Sequence, residues 1–143
     1  MQRAPANAEV VPTTVEQLLA AARATLERLT PAEAHAAMVA GAQLVDIRSD
    51  SQRASDGLIP GAAFVSRNVL EWRLDPACPH HDERLALRDG VVMLICNEGY
   101  QSSLAAATAQ RFGPRRVTDV IGGFQAWRGA GLPVEPSTGP IGL

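Results

Sequence analysis

Val91-Val92-Met93-Leu94-Ile95-Cys96-Asn97-Glu98-Gly99-Tyr100-Gln101-Ser102-Ser103 is the stretch from which the fold can be read. Val91 to Ile95 are apolar without polar alternation, the habit of a strand buried on both faces of a parallel sheet. The strand is expected to end on Cys96. The Ala-rich segment from Ser102 to Phe112 has the composition of a helix, so the cysteine stands where a buried strand turns into a helix N-terminus. Orphan amides and the helix dipole both favour negative charge at such a turn, and a thiolate held there is stabilised over the thiol. A lone cysteine in an apolar strand is commonly structural. Against that stand the terminal position of Cys96 and the nearby Gly99, which lets the backbone curl around the sulfur at little steric cost.

Upstream of this stretch, Gln43 to Arg48 reads as another core strand, whose end brings Asp46 and Arg48 to the carboxyl edge of the sheet. In open parallel sheets that edge is where ligands bind. Before it, Thr30-Pro31-Ala32-Glu33 announces a helix: Thr30 caps, Pro31 suits the first helical position and Glu33 completes a capping box. Gly41 stops that helix. Gly57 to Ala62 supplies turn glycines around Pro60, followed by a short strand, Ala63 to Ser66, and a short helix, Asn68 to Leu74. Asp75 to Asp82 reads as a solvated loop; its Cys78, His80 and His81 have no second cluster with which to hold zinc. Asp82 to Arg88 reads as one more short helix.

Downstream, Gly113-Pro114 ends the long helix and Val117 to Ile121 forms the last strand. Gly122-Gly123 turns into a helix, Phe124 to Gly129, whose Phe124 and Trp127 share one face and are expected to pack on the core. At the other end, Met1 to Thr13 reads as a loose leader. Val15, Leu18, Leu19, Ala22, Leu26 and Leu29 then fall at helical spacing opposite Glu16, Arg23 and Glu27. This amphipathic helix is expected on the domain's flank, with a dimer or partner surface as the alternative. Strands separated by helical segments predict a three-layer α/β domain with a mainly parallel sheet.

Three segments resemble the rhodanese-type sulfurtransferase family. The first is Cys96-x-x-Gly99-x-x-Ser102 between strand and helix; the second is Leu44-Val45-Asp46-Ile47-Arg48 followed by Gly57 to Ala62; the third is Gly122-Gly123-Phe124-x-x-Trp127-x-x-x-Gly131-Leu132-Pro133. They run in the family's order from about Thr30 to Val134. The expected organisation is a leader and flanking helix over 1–29, a rhodanese-like domain over 30–134 and a tail over 135–143. The resemblance implies that Cys96 takes sulfur from thiosulfate or a related small anionic donor, becomes a persulfide, and passes the outer sulfur to a thiol, cyanide or protein acceptor. The amides from Asn97 to Ser102, through Glu98, Gly99, Tyr100 and Gln101, would hold the charged sulfur, with the Ser102 hydroxyl as a further donor. Asp46 is expected to fix its strand end by bonding backbone or pairing with an arginine. Arg48 and Arg53 are both candidates for the family arginine that attracts the donor. The resemblance requires no metal or organic cofactor.

Departures from the family pattern bear on activity. Gln101 stands where many active relatives carry arginine and Glu98 places a negative charge in the anion site, whereas Leu58, in place of a frequent histidine, is expected to cost a structural hydrogen bond and not chemistry. A persulfide carrier or interaction module of low turnover is therefore an alternative. A phosphatase or arsenate reductase of related fold is another, but the position six residues after the cysteine is Ser102, and no arginine occurs between Asn97 and Ser103 to stabilise a transferring phosphoryl group.

Composition agrees with one domain. The 143 residues can bury a core without disulfide staples. A net charge of -2 with scattered basic residues provides no footprint for nucleic acid or an acidic membrane surface. The two cysteines, Cys78 and Cys96, fit no disulfide framework, which suits the reducing cytoplasm; no secretory signal or membrane-length apolar run is expected.

Overall fold

Residues 13–114 and 116–137 are described by a computed structural model, and the leader up to Pro12 and the last residues of the tail lie outside them. The strands β1 (Gln43–Asp46), β2 (Ala63–Phe64), β3 (Val91–Ile95) and β4 (Arg116–Asp119) form a parallel sheet in the order β2-β1-β3-β4. Parallel neighbours need crossover connections, and helices supply them. In chain order, α1 (Val15–Arg23) and α2 (Pro31–Val39) precede the sheet; the crossovers carry α3 (Asp50–Asp56), α4 (Leu70–Leu74), α5 (Glu83–Ala86) and α6 (Gln101–Ala109), with a 3-10 turn at Arg67–Val69; and α7 (Gly123–Gly129) follows the sheet.

The unbroken apolar run of β3 follows from burial on both sides. Val92, Leu94 and Cys96 pack with Leu70, Leu74, Ala105 and Ala106 beneath α4 and α6. Met93 and Ile95 face the opposite way, onto Ala34 of α2 and Phe124 and Trp127 of α7. The α/β domain is thus three layers deep, with a core on each face of the sheet. Asp46 lies opposite Ile95 and Leu94 opposite Asp119, so the carboxyl ends of β1, β3 and β4 deliver Asp46, Cys96 and Asp119 to one edge.

Local signals were mostly followed. Thr30 and Glu33 form the expected reciprocal capping box, and the backbone bond from Thr30 lowers the Glu33 carboxyl below its ordinary range. β3 stops at Ile95, one residue before the expected end, leaving Cys96 as the first residue of the turn. α3 had not been expected, although Ser49 and Gln52 carry the same capping-box signal as Thr30 and Glu33.

The N-terminal helix is shorter than its apolar spacing suggested. It ends at Arg23, burying Leu19 and Ala22 against α6 while Val15 and Leu18 remain exposed. Beyond it the chain unwinds, so that Leu26 joins the α6-side core and Leu29 the opposite one, which no single straight helix face could do. Leu29 instead forms a parallel bridge to Val120, donating to the Asp119 carbonyl and accepting from Ile121. The start of the expected tail is likewise tied down: Leu58 and Glu135 exchange both backbone bonds, and Trp127 Nε1 donates to the Pro133 carbonyl. No described helix is long and apolar enough to cross a membrane.

Candidate active site

Cys96 is only 2% exposed, and its Sγ accepts the Gly99 N–H at 3.1 Å. Gly99 makes this possible by adopting φ +85°, a conformation that side chains disfavour. α6 begins two residues later, and its N-cap Tyr100 contributes no side-chain bond. Among the described residues, the backbone N–H groups of Glu98, Tyr100, Gln101 and Ser102 donate no hydrogen bond, so orphan amides surround the sulfur's turn. A negative sulfur or oxyanion is the natural complement of such a turn.

Gly122-Gly123, expected only as a tight turn, also forms the wall behind this loop. A Cβ on Gly123 would stand 2.5 Å from the Cys96 carbonyl oxygen and 2.7 Å from the Gly99 nitrogen, with φ at +61°. A Cβ on Gly99 would meet the Gly122 nitrogen at 2.7 Å. The two backbones therefore interlock, and Phe124 N–H donates to the Cys96 carbonyl at 2.8 Å. Gly123→Ala is expected to cost about 1–3 kcal/mol through overpacking and backbone strain, and to displace the Gly99 amide from the sulfur. Thermal unfolding together with the alkylation rate of Cys96 checks this; an unchanged protein would mean that the two turns separate freely.

Ser102 takes a different role from the one expected. Its hydroxyl donates to Asp119 Oδ2 at 2.7 Å, so it meets the Cys96 thiol 3.3 Å away as an acceptor, not as a donor to the sulfur. Asp119 is 0% exposed and also accepts from Ser103 Oγ at 2.8 Å. Arg28 grips the same carboxylate, Nε to Oδ1 at 2.8 Å and Nη2 to Oδ2 at 3.2 Å. Both Arg28 and Arg23 donate to the Gly99 carbonyl, at 3.0 and 2.8 Å. Asp119, Arg23 and Arg28 were not among the expected site residues. An aspartate in the middle of the strand expected over Val117 to Ile121 was the available signal, since a buried charge requires a partner.

The remaining expected residues separate into two groups. Asn97 belongs to the loop and is locked by α7: its carbonyl accepts from Gln125 N–H and its side chain from Gln125 Nε2, both at 3.0 Å. Glu98, Tyr100 and Gln101 are exposed around the loop. Asp46 and Arg48 instead form a buried pair, Arg48 Nη2 to Asp46 Oδ2 at 2.8 Å, with a further bond to the Gly57 carbonyl. The Arg48 guanidinium lies 3.7 Å over the Phe124 ring, and its Nη1 has no hydrogen-bond partner. Arg53 stacks 3.8 Å over Phe64, with Nε 3.6 Å from Asp46. Neither arginine bonds to residues 96–102 among the described residues. No three His, Cys, Asp or Glu side chains converge as metal ligands among them either. A recess of about 400 Å³ at the amino ends of β3 and β4 is lined by Val91, Arg116, Val117 and neighbours, away from Cys96.

A parallel α/β sheet that delivers a cysteine into an amide-lined turn, backed by a Gly-Gly-Phe corner, defines a class of cysteine-loop domains. The chain belongs to the rhodanese-like domain family, whose model matches residues 30–130. It is 31% identical over 102 residues to thiosulfate sulfurtransferase GlpE of Stutzerimonas stutzeri, covering 71% of this chain and 84% of that protein. The GlpE protein of Pseudomonas paraeruginosa is 31% identical over 116 residues, covering 80% of this chain and 94% of its own length. Among solved structures, a Rhodopseudomonas palustris protein of unknown function, described as a possible tyrosine phosphatase, superposes with a TM-score of 0.81 at 35% identity, covering 89% of this chain and 98% of that one.

Proposed function

We propose that this protein is a sulfurtransferase working through a persulfide on Cys96. The carrying observation is the Gly99 N–H on Cys96 Sγ at the uncapped start of α6. The thiolate attacks the outer sulfur of thiosulfate; the new S–S bond forms on Cys96 as the old one breaks, and sulfite leaves with the electron pair. The persulfide then yields its outer sulfur to a nucleophile, and with cyanide the products are thiocyanate and the restored thiolate. The orphan amides of the turn complement the charge that stays on the outer sulfur. A low exposure of Cys96 favours a small donor over a bulky one. Both relatives named thiosulfate sulfurtransferase support the same chemistry. A thiol acceptor, on a small molecule or on a protein, replaces cyanide in a cell, and a free thiol suits a reducing interior such as the cytoplasm.

Intact-mass spectrometry after exposure to thiosulfate without reductant tests the proposal. One added sulfur atom on Cys96 is expected; an unchanged mass with both thiosulfate and a persulfide donor would exclude it. The phosphatase description of the Rhodopseudomonas palustris neighbour sets the rival reading. With Ser102 in the loop's last position and its hydroxyl engaged by Asp119, the loop lacks the guanidinium that a phosphoryl group would need. Negligible hydrolysis of an aryl phosphate is expected.

Gln101 opens α6 at the surface, where it can offer N–H bonds but no charge. A charge-assisted bond exceeds a neutral one by about 1–2 kcal/mol, so Gln101→Arg is expected to lower the apparent KM for thiosulfate by up to about tenfold. A singly charged persulfide donor should respond much less. Steady-state kinetics with both donors check this, and an unchanged thiosulfate KM would show that the charge already comes from elsewhere.

A further inference from the structure

Two arginines outside the family-matched segment aim at the cysteine loop. We propose that the segment before the family domain completes the site: Arg23 and Arg28 are positioning residues that orient the Gly99–Tyr100 peptide and neutralise the carboxylate behind Cys96. This rests on Cys96 being the reacting thiolate, and it deepens that reading, because the site is incomplete without residues that precede Thr30, where the family match begins.

The first argument is the geometry of one peptide. The Gly99 carbonyl receives Arg23 Nη2 at 2.8 Å and Arg28 Nη2 at 3.0 Å. In a planar trans peptide the following N–H points opposite to the carbonyl, so two guanidiniums holding Gly99 O outward turn the Tyr100 N–H away from themselves and toward the loop. Bonds from ionised donors are strong, and they draw electron density from the amide, which strengthens its N–H as a donor.

The second argument is charge. Asp119 is 0% exposed and reaches Cys96 through a single hydroxyl, with Oδ2 to Ser102 Oγ at 2.7 Å and Oγ to Sγ at 3.3 Å. Alone, that carboxylate would oppose a negative sulfur. Arg28 cancels it with two bonds. Glu98, the acid within the loop itself, is exposed and screened.

The placement of both cations is built into the backbone. The Leu29–Val120 bridge sets Arg28 beside the end of β4. Arg23 closes α1, which packs on α6; its Nε donates to Ser103 Oγ at 3.1 Å, and its guanidinium lies 5.6 Å over the Tyr100 ring. Between them, the Thr25 carbonyl accepts from Gln110 and the Glu27 carbonyl from Thr118, which pins the connection to the domain.

The test uses the full chain and reads alkylation of Cys96 by iodoacetamide across pH, located by mass spectrometry, beside thermal unfolding and thiosulfate:cyanide transfer. Arg28→Gln is expected to slow alkylation at neutral pH about tenfold and to move the rate–pH profile up by about one unit, whereas Arg28→Lys keeps most of the native profile. Arg23→Gln is expected to slow it roughly threefold through the lost bond to Gly99. Arg28→Gln combined with Asp119→Asn removes cation and anion together, and its profile should return toward the native one. Unshifted profiles in Arg28→Gln and Arg23→Gln, or a double variant displaced as far as Arg28→Gln alone, would overturn the proposal; a residual slowing of about threefold in the double variant is expected from the lost Arg28 bond to Gly99. If Arg28→Gln does not fold, Arg23→Gln and the double variant decide. Shifted profiles in a protein that transfers no sulfur would leave the arginines' role standing and remove the sulfurtransferase reading instead.

Discussion

Cys96→Ser is expected to reduce sulfur transfer from any donor by roughly 1,000-fold or more while leaving the fold intact. The chemistry needs a nucleophile that ionises near neutral pH and can carry a second sulfur in a stable S–S bond, and a serine hydroxyl does neither. The structural change is small by comparison. The Gly99 N–H and Ser102 hydroxyl that face Sγ both tolerate an oxygen, so the thermal midpoint should move little. Cys78 provides the internal control: it is a half-buried free thiol in the loop before α5, where its sulfur accepts the His80 N–H at 3.4 Å. Cys78→Ser should keep full transfer activity. A thiosulfate:cyanide assay on both variants, with intact masses after donor exposure, decides the matter. Substantial turnover by Cys96→Ser would show that the sulfur travels by another route.

Asp46→Ala is expected to produce the largest loss of stability. Arg48 is 0% exposed and depends on Asp46 for bonds from its N–H at 3.0 Å, its Nε at 3.1 Å and its Nη2 at 2.8 Å. Removing the carboxylate leaves a buried guanidinium with only the Gly57 carbonyl and the Phe124 ring for compensation. Stranding one partner of a buried pair costs about 3–5 kcal/mol, more than an exposed pair of the same geometry could contribute. For a chain of this size the thermal midpoint should fall by roughly 10 °C or more. Asp46→Leu with Arg48→Met removes both charges and should recover much of the loss, because an apolar pair of similar volume can match a buried ion pair. Thermal unfolding of the single and double variants makes the comparison. A fall of only a few degrees in Asp46→Ala would mean that water reaches Arg48.

These outcomes also separate the two roles that arginine plays near the sheet edge. Arg48 sits among Asp46, Gly57 and Phe124 as part of the framework that joins β1 to α7, so its loss should register in stability first. Arg53 adds a second cation beside Asp46 while stacking on Phe64. Arg23 and Arg28 reach the cysteine loop itself from outside the family-matched segment. Charge near the sulfur thus depends on a part of the chain whose sequence shows only an amphipathic pattern.

How legible each feature was follows from the distance over which its cause acts. The β3 run, the Thr30 cap and the Cys96–Gly99–Ser102 spacing are local. Their physics lies in hydrogen bonds and backbone conformations within a few residues, and the amino-acid sequence determined them nearly to the residue. By contrast, α6 ends at Ala109, short of the expected stop at Gly113-Pro114. The same holds for the two-faced burial of β3, because an apolar run without alternation has no other stable place. Ser49 and Gln52 were equally local, and α3 could have been read from them.

Tertiary structure alone decided where the long-range partners meet. Apolar spacing from Val15 to Leu29 is compatible with one helix, but the open edge of β4 offers Leu29 two backbone bonds, and two separate cores compete for Leu26 and Leu29. Taking those bonds ends the helix at Arg23 and sets Arg28 against Asp119, 91 residues away. The role of Ser102 was decided in the same way. A hydroxyl has one proton, and the buried Asp119 carboxylate, which no local pattern ties to the loop, takes it and leaves the serine to face the thiol as an acceptor.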